Sequence, residues 1–194
     1  MHSRLVANEG EPTIPDEEWT VMARMAVGER EALVELYARH RVALLTYLRS
    51  LLHDAELAEE VLQDTFFAAW TGASSYGGRA SVRVWLLGIA RRRAHDTLRR
   101  RTIHAVDASA LDTIPAPDPE PESLALVAAE RDTLHAAMVR LRPLHREVLV
   151  LNFVQELSYR DIAAVLGVPV GTVMSRLYHA KRALRSELLR DDCS

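Results

Sequence analysis

Apolar residues along this chain recur at intervals of three and four, the repeat that lines one face of an α-helix. A first helix carries Trp19, Met22, Met25 and Ala26, with Asp16 placed to cap its start and Gly28 to end it. A second, several turns long, is marked by Leu33, Leu36, Tyr37, His40, Leu44, Tyr47, Leu48, Leu51 and Leu52. Asp54 can cap a third, which keeps Ala58, Val61, Leu62, Thr65, Phe66, Ala69 and Trp70 along one side. The Gly/Ser-rich stretch TGASSYGGRAS then breaks the pattern. A fourth helix follows over residues 81–101, with Trp85, Leu86, Ile89, Ala90 and Leu98 inward. Residues 124–140 and 144–153 form two more, interrupted at Arg142 and Pro143. No stretch of useful length alternates in the two-residue period of a strand, and there is no internal repeat. The expected fold is all-α.

Between these two sets of helices lies TIHAVDASALDTIPAPDPEPES, residues 102–123. Pro115, Pro117, Pro119 and Pro121 alternate with small or acidic residues, a spacing that neither a helix interior nor a central strand accepts. An extended, solvated linker is expected there. The chain therefore divides into a flexible N-terminus (1–15), a helical domain (16–101), the Pro/acid-rich linker (102–123), a second small helical domain (124–188) and a tail (189–194).

The second domain contains LSYRDIAAVLGVPVGTVMSRLYHAKR, residues 157–182. Ser158 and Asp161 have the spacing of a capping box ahead of Ile162 and Val165. Gly167 can end that short helix with a positive φ, and Pro169 prevents it from simply continuing. Thr172 lies near the start of the next helix. In that helix Val173, Leu177, Ala180 and Leu184 form a core stripe, while Thr172, Ser175, Arg176, His179 and Arg182 fall on another face. Two short helices joined by a sharp Gly-containing turn, the second with a polar, basic face, describe a helix-turn-helix that reads duplex DNA. The outer side chains are of the kinds that reach phosphates and base edges.

Composition adds little until it is divided by segment. Net charge is −3 and 48% of residues are hydrophobic, as in an ordinary soluble domain. Yet residues 79–101 hold eight arginines and one acid, residues 102–133 seven acids and one arginine, and residues 134–190 nine basic and four acidic residues. Two basic segments flank an acidic one. No apolar run is long enough to span a bilayer, and the N-terminal residues have no apolar core of a secretory leader, so a cytoplasmic protein is expected. Cys193 is the only cysteine, which excludes an internal disulfide and a multi-thiolate metal site.

The third helix carries Asp54, Glu56, Glu59, Glu60, Gln63 and Asp64 on its outer face, with Phe67 nearby. Such a face repels a phosphate backbone and suits a protein partner with a basic docking surface. Next to it, Tyr76, Gly77, Gly78, Arg79 and Ser81 make a polar loop in which one aromatic and one arginine could hold an unstacked base. Arg91, Arg92, Arg93, Arg99, Arg100 and Arg101 then form a cationic strip able to follow a nucleic-acid backbone.

Taken in order, DAELAEEVLQDTFFAAW, SVRVWLLGIARRRAHDTLRRR, the Pro/acid linker and LRPLHREVLVLNFVQELSYRDIAAVLGVPVGTVMSRLYHAKRAL resemble a bacterial RNA polymerase sigma factor of the extracytoplasmic-function (ECF) group, within the sigma-70 family. The resemblance spans residues 16–101 and 124–188 and implies that these are sigma regions 2 and 4. It further implies that Asp54, Glu56, Glu59, Glu60, Gln63, Asp64 and Phe67 dock on the coiled coil of the polymerase β′ subunit. By the same resemblance Tyr76, Gly78, Arg79, Ser81, Arg83, Arg91, Arg92 and Arg93 capture and melt the −10 promoter element. Arg160, Thr172, Met174, Ser175, Arg176, Tyr178, His179 and Arg182 then read the −35 element, with region 4 on the polymerase β flap. An anti-sigma factor is implied as the inhibitory partner. No cofactor, metal, catalytic residue or small-molecule substrate is implied, because the polymerase performs the chemistry. The chain departs from the family at Met174, where lysine or arginine is usual, and at His179, where arginine is frequent.

Two other classes compete with this reading. A stand-alone helix-turn-helix regulator needs a sensor or receiver domain, and residues 16–101 lack the alternating strands and helices of a receiver. A nuclease needs clustered carboxylates that hold metal ions. Glu56, Glu59 and Glu60 instead lie along an exposed helix face, and His40, His53, His95 and His145 show no metal-ligand spacing.

Overall fold

The computed structural model describes residues 16–107 and 125–191, and among them every regular element is helical. The first set of helices is α1 (Asp16–Ala26), α2 (Arg30–Leu52), α3 (Ala55–Gly72) and α4 (Val82–Asp107), with a 3₁₀ turn at Ala73–Ser75. The second is α5 (Ala125–Arg140), α6 (Pro143–Leu149), α7 (Tyr159–Leu166) and α8 (Val170–Asp191), with a π-helical turn at Val150–Val154.

Local signals account for most boundaries. Gly28 takes φ 90° and closes α1 by donating its N–H to the Met25 carbonyl at 3.1 Å. Asp54 caps α3, its carboxylate accepting from the Leu57 N–H at 2.9 Å. Ser158 caps α7, its hydroxyl accepting from the Asp161 N–H at 3.2 Å and donating to the Asp161 carboxylate at 2.6 Å. Gly167 ends α7 in the left-handed region, φ 67°. Pro143 opens α6 at a position where its missing N–H costs nothing.

Two boundaries differ from expectation. The fourth helix does not stop at Arg101 but runs to Asp107, so the start of the expected extended linker is helical. Nothing in TIHAVD breaks a helix, and the Thr102 hydroxyl bonds back to the Leu98 carbonyl at 3.0 Å. The proline-rich part, from Pro115 to Pro121, lies outside the described residues, as do the expected N-terminal segment 1–15 and the last residues of the tail. The helix expected over residues 144–153 instead widens after Leu149: the Gln155 N–H reaches back to the Val150 carbonyl at 2.9 Å. This turn, with Glu156 at φ 52°, changes the phase of the chain before α7.

Both sets of helices contribute to one buried apolar cluster. In the first, Leu36, Leu44, Tyr47, Leu48, Val61, Leu62, Leu86 and Leu87 are fully enclosed. In the second, Leu151, Ile162, Val173 and Leu177 are. α7 packs along α4, and α6 lies against α2, so the two domains sit against each other.

Candidate partner and nucleic-acid interfaces

The surface of α3 divides as its sequence implies. Leu57, Ala58, Val61, Leu62, Thr65, Phe66 and Ala69 are buried, while Glu56, Glu59, Glu60, Gln63, Asp64 and Phe67 are exposed. Phe67 is 67% exposed at the end of this acidic stripe. Glu59 is paired with Arg49 at 3.3 Å, whereas Glu56, Glu60 and Asp64 join no ion pair among the described residues. Asp54 stands apart from the stripe. One carboxylate oxygen caps the helix and the other accepts from Arg101 at 3.0 Å; the Leu57 N–H first and Arg101 second hold its pKa below the ordinary carboxylate value.

The loop after α3 is more enclosed than its composition suggests. The Tyr76 ring is buried between Trp19 and Trp85, with centroids 6.0 and 5.2 Å away. Its hydroxyl donates to the Ala80 carbonyl at 2.6 Å, and burial pushes its pKa up to about 12. In this arrangement the ring of Tyr76, expected as an aromatic that could hold an unstacked base, ties the loop to the core. Ser81 caps α4 through a 3.3 Å bond from the Val84 N–H. Gly78 takes φ 67°, a left-handed conformation that suits glycine, and Arg79 is exposed beside it.

Four arginines in the first half of α4 fall into two groups. Arg92 and Arg93 are exposed and, with Gly72, Ser75, Trp85 and Asp96, line a shallow concavity of about 280 Å³. Arg83 and Arg91 face the second domain. The Arg91 Nε donates at 2.8 Å to the Glu147 carboxylate, which also accepts from the Tyr47 hydroxyl at 2.9 Å. Arg83 donates at 2.8 Å to the side-chain carbonyl of Gln155, whose amide donates to the Ala43 carbonyl at 2.9 Å. Glu147 and Gln155 are both buried. A further contact joins the Arg146 guanidinium to the His53 ring. Sequence reasoning missed Glu147 and Gln155. Their one signal was position: they share a stripe with Leu151 at four-residue spacing inside a run that is apolar but for Asn152.

The helix-turn-helix has an ordered inner face and a free outer one. Val173, Leu177 and Ala180 are buried on α8. Arg160 on α7 and Met174, Ser175, Tyr178, His179 and Arg182 on α8 are exposed, while Thr172 and Arg176 are partly buried. The Ser175 hydroxyl is turned back onto the Thr172 carbonyl at 3.0 Å. Arg160, Arg176 and Arg182 join no ion pair among the described residues, so their charge is available to an outside anion. Among the described residues no group of three or more His, Cys, Asp or Glu could hold a metal ion, and no helix is long and apolar enough to cross a membrane.

Two family models match the chain: Sigma-70 region 2 over residues 36–103 and Sigma-70 region 4 over residues 131–184. The chain is 30% identical over 164 residues to the RNA polymerase sigma factor YlaC of Bacillus subtilis, covering 83% of this chain and 94% of that protein. It is 33% identical over 171 residues to the ECF RNA polymerase sigma factor SigL of Mycobacterium tuberculosis, covering 86% and 96%. Among solved structures it resembles CnrH in complex with the cytosolic domain of CnrY, with a TM-score of 0.66, 30% identity and coverage of 92% of this chain and 100% of that one. It also resembles RpoE of Bartonella quintana in complex with the anti-sigma factor NepR, with a TM-score of 0.68, 26% identity and coverage of 80% and 95%.

Proposed function

The chain belongs to the ECF group of the sigma-70 family of RNA polymerase sigma factors, and from that membership we propose how its surfaces share the work of promoter-specific initiation. It binds core RNA polymerase and directs it to promoters. Residues 16–101 act as region 2 and residues 124–188 as region 4. The exposed acidic stripe of α3 docks on the β′ coiled coil, with Phe67 as its apolar anchor, and region 4 engages the β flap. The loop around Gly78 and Arg79, with Arg83 and the α4 arginines Arg91, Arg92 and Arg93, takes the −10 element. α8 enters the major groove of the −35 element. The observation that carries this reading is the separation of charge between adjacent helices. α3 presents carboxylates that a phosphate backbone repels, and α4 and α8 present arginines that it attracts.

This protein supplies binding and orientation only; the bond-forming step belongs to the polymerase, in the cytoplasm. CnrH was solved with the cytosolic domain of CnrY and RpoE with the anti-sigma factor NepR, and an anti-sigma factor holds this chain in the same manner as NepR holds RpoE. In the free chain the packing of region 2 on region 4 already covers Arg83 and Arg91 with groups from the other domain.

Run-off transcription with purified core polymerase tests the proposal, on a template carrying the region upstream of this protein's own gene. Co-elution with core and a new discrete start site are expected only when the protein is added. A folded, inhibitor-free protein that fails to bind core would overturn the reading and favour a stand-alone DNA-binding regulator.

A further inference from the structure

The outer face of the DNA-reading helix is not uniformly polar. Met174 and Tyr178 lie one turn apart in the first half of α8 and are 55% and 63% exposed. They form an apolar ridge that the protein leaves open. The His179 and Tyr178 rings pack edge to face, with centroids 5.3 Å apart at 78°, which steadies the aromatic. Between them in sequence, Ser175 has already spent its hydroxyl proton on the Thr172 carbonyl. Apart from the Tyr178 hydroxyl at the ring's tip, the ridge thus has little to donate at the place where a recognition helix meets base edges.

The surroundings identify what covers it. Lys181 and Arg185 continue the same helical stripe at seven and eleven residues from Met174, both exposed, and Arg160 and Arg182 are exposed cations nearby in the motif. Arg160, Arg182 and Arg185 have no ion-pair partner among the described residues. A protein partner with an apolar pocket would need acidic groups around it; a DNA duplex offers phosphates on both sides of its groove by construction. In the major groove the one apolar feature of a base pair is the C5-methyl group of thymine. A thioether, or the face of a phenol ring, over cytosine would instead cover the N4 amino donor while offering it at best a weak acceptor.

We propose that Met174 and Tyr178 are specificity residues that read thymine C5-methyl groups in the −35 element, where arginine or lysine at the same place would read guanine or bind phosphate. This deepens the proposed function and rests on α8 reading duplex DNA. Burying one methyl group is worth roughly a fourfold change in affinity.

The test uses the full chain assembled with core polymerase. The holoenzyme selects duplexes from a pool randomised upstream of a fixed −10 element, and each thymine of the selected −35 element is then replaced singly by deoxyuridine. Removing the methyl group is expected to weaken binding about fourfold at one or two positions. Met174→Ala should be indifferent to deoxyuridine at one of these, Met174→Leu should remain sensitive, and 5-methylcytosine placed there should bind more tightly than cytosine. A selected −35 element without thymine opposite α8, or an equal deoxyuridine penalty in wild type and Met174→Ala, would overturn the inference. Failure of the underlying reading looks different: no co-elution with core and no −35 sequence selected at all.

Discussion

Glu147 keeps only 3% of its side chain exposed, yet two donors meet it from the other domain. A buried carboxylate is tolerable only when its lone pairs are filled, and removing a donor leaves the others to carry the cost. Tyr47→Phe deletes one bond to that carboxylate, and burial with the adjacent Glu147 charge raises the Tyr47 pKa well above 10.0, so the hydroxyl stays a donor at any working pH. The substitution is expected to lower stability by about 1.5–3 kcal/mol in urea denaturation; an unchanged midpoint would contradict the role assigned to this bond. The histidines give a second residue-scale expectation. Burial lowers the pKa of His40 despite Glu18, with Arg83 and Arg39 reinforcing it, and burial followed by Arg146 and His135 lowers that of His53. Both groups take up protons less readily in the folded protein than when unfolded. Their contribution is complete above the unfolded value of 6.5 and is lost as pH falls through the depressed folded values. The urea midpoint should therefore drop between about pH 7.5 and about pH 5.5. His53→Asn should flatten that drop, since asparagine also accepts the left-handed conformation His53 holds at φ 55°.

At the scale of elements, the turn between α7 and α8 isolates a backbone effect. Gly167 has φ 67°, and a methyl group added there meets nothing within 4 Å. Gly167→Ala is thus expected to cost about 1–2 kcal/mol from conformation alone, and Gly167→Asn less, by thermal denaturation. Equal losses for both would point to a packing role instead. On α3 the prediction concerns binding. Glu60→Lys with Asp64→Lys reverses two unpaired charges on an exposed face, so helicity by circular dichroism should be retained while co-elution with core polymerase is lost. These two elements were legible beforehand because their signals are local: a capping box, a Gly-Val-Pro turn, and a carboxylate stripe opposite an apolar one. The π-helical turn at Val150–Val154 was not legible, since VLVLNFV reads equally well as a plain helix.

At the scale of the whole molecule, the packing of the two domains sets access to the surface proposed for the −10 element. Glu147 and Gln155 occupy Arg91 and Arg83 with a carboxylate and an amide oxygen, the groups a phosphate would replace. Removing both acceptors, Glu147→Ala with Gln155→Ala, should shift the balance towards separated domains. A larger radius of gyration by small-angle scattering and tighter, salt-sensitive binding of a single-stranded −10 oligonucleotide are expected. A compact double variant with unchanged DNA affinity would show that the apolar contacts of α4 with α7 hold the closed form without these bonds.

The sequence by itself determined the helices, most of their ends, the division into two helical halves and the faces that carry charge, because each depends on residues within a few positions of one another. It also marked the basic outer face of α8 and the acidic outer face of α3, on which the proposed reading and docking roles rest. Only the tertiary structure decided which of the marked residues are free. Arg83 and Arg91 are held across the domain interface, Tyr76 is enclosed by Trp19 and Trp85, and Asp54 and Ser81 serve as caps with their neighbours. Glu147 and Gln155, which read as ordinary polar residues, became buried acceptors. Periodicity tells which side of a helix is apolar; it carries no term for the partner that side will meet. Contacts such as Tyr47 with Glu147, a hundred residues apart, exist only once both domains have folded and met.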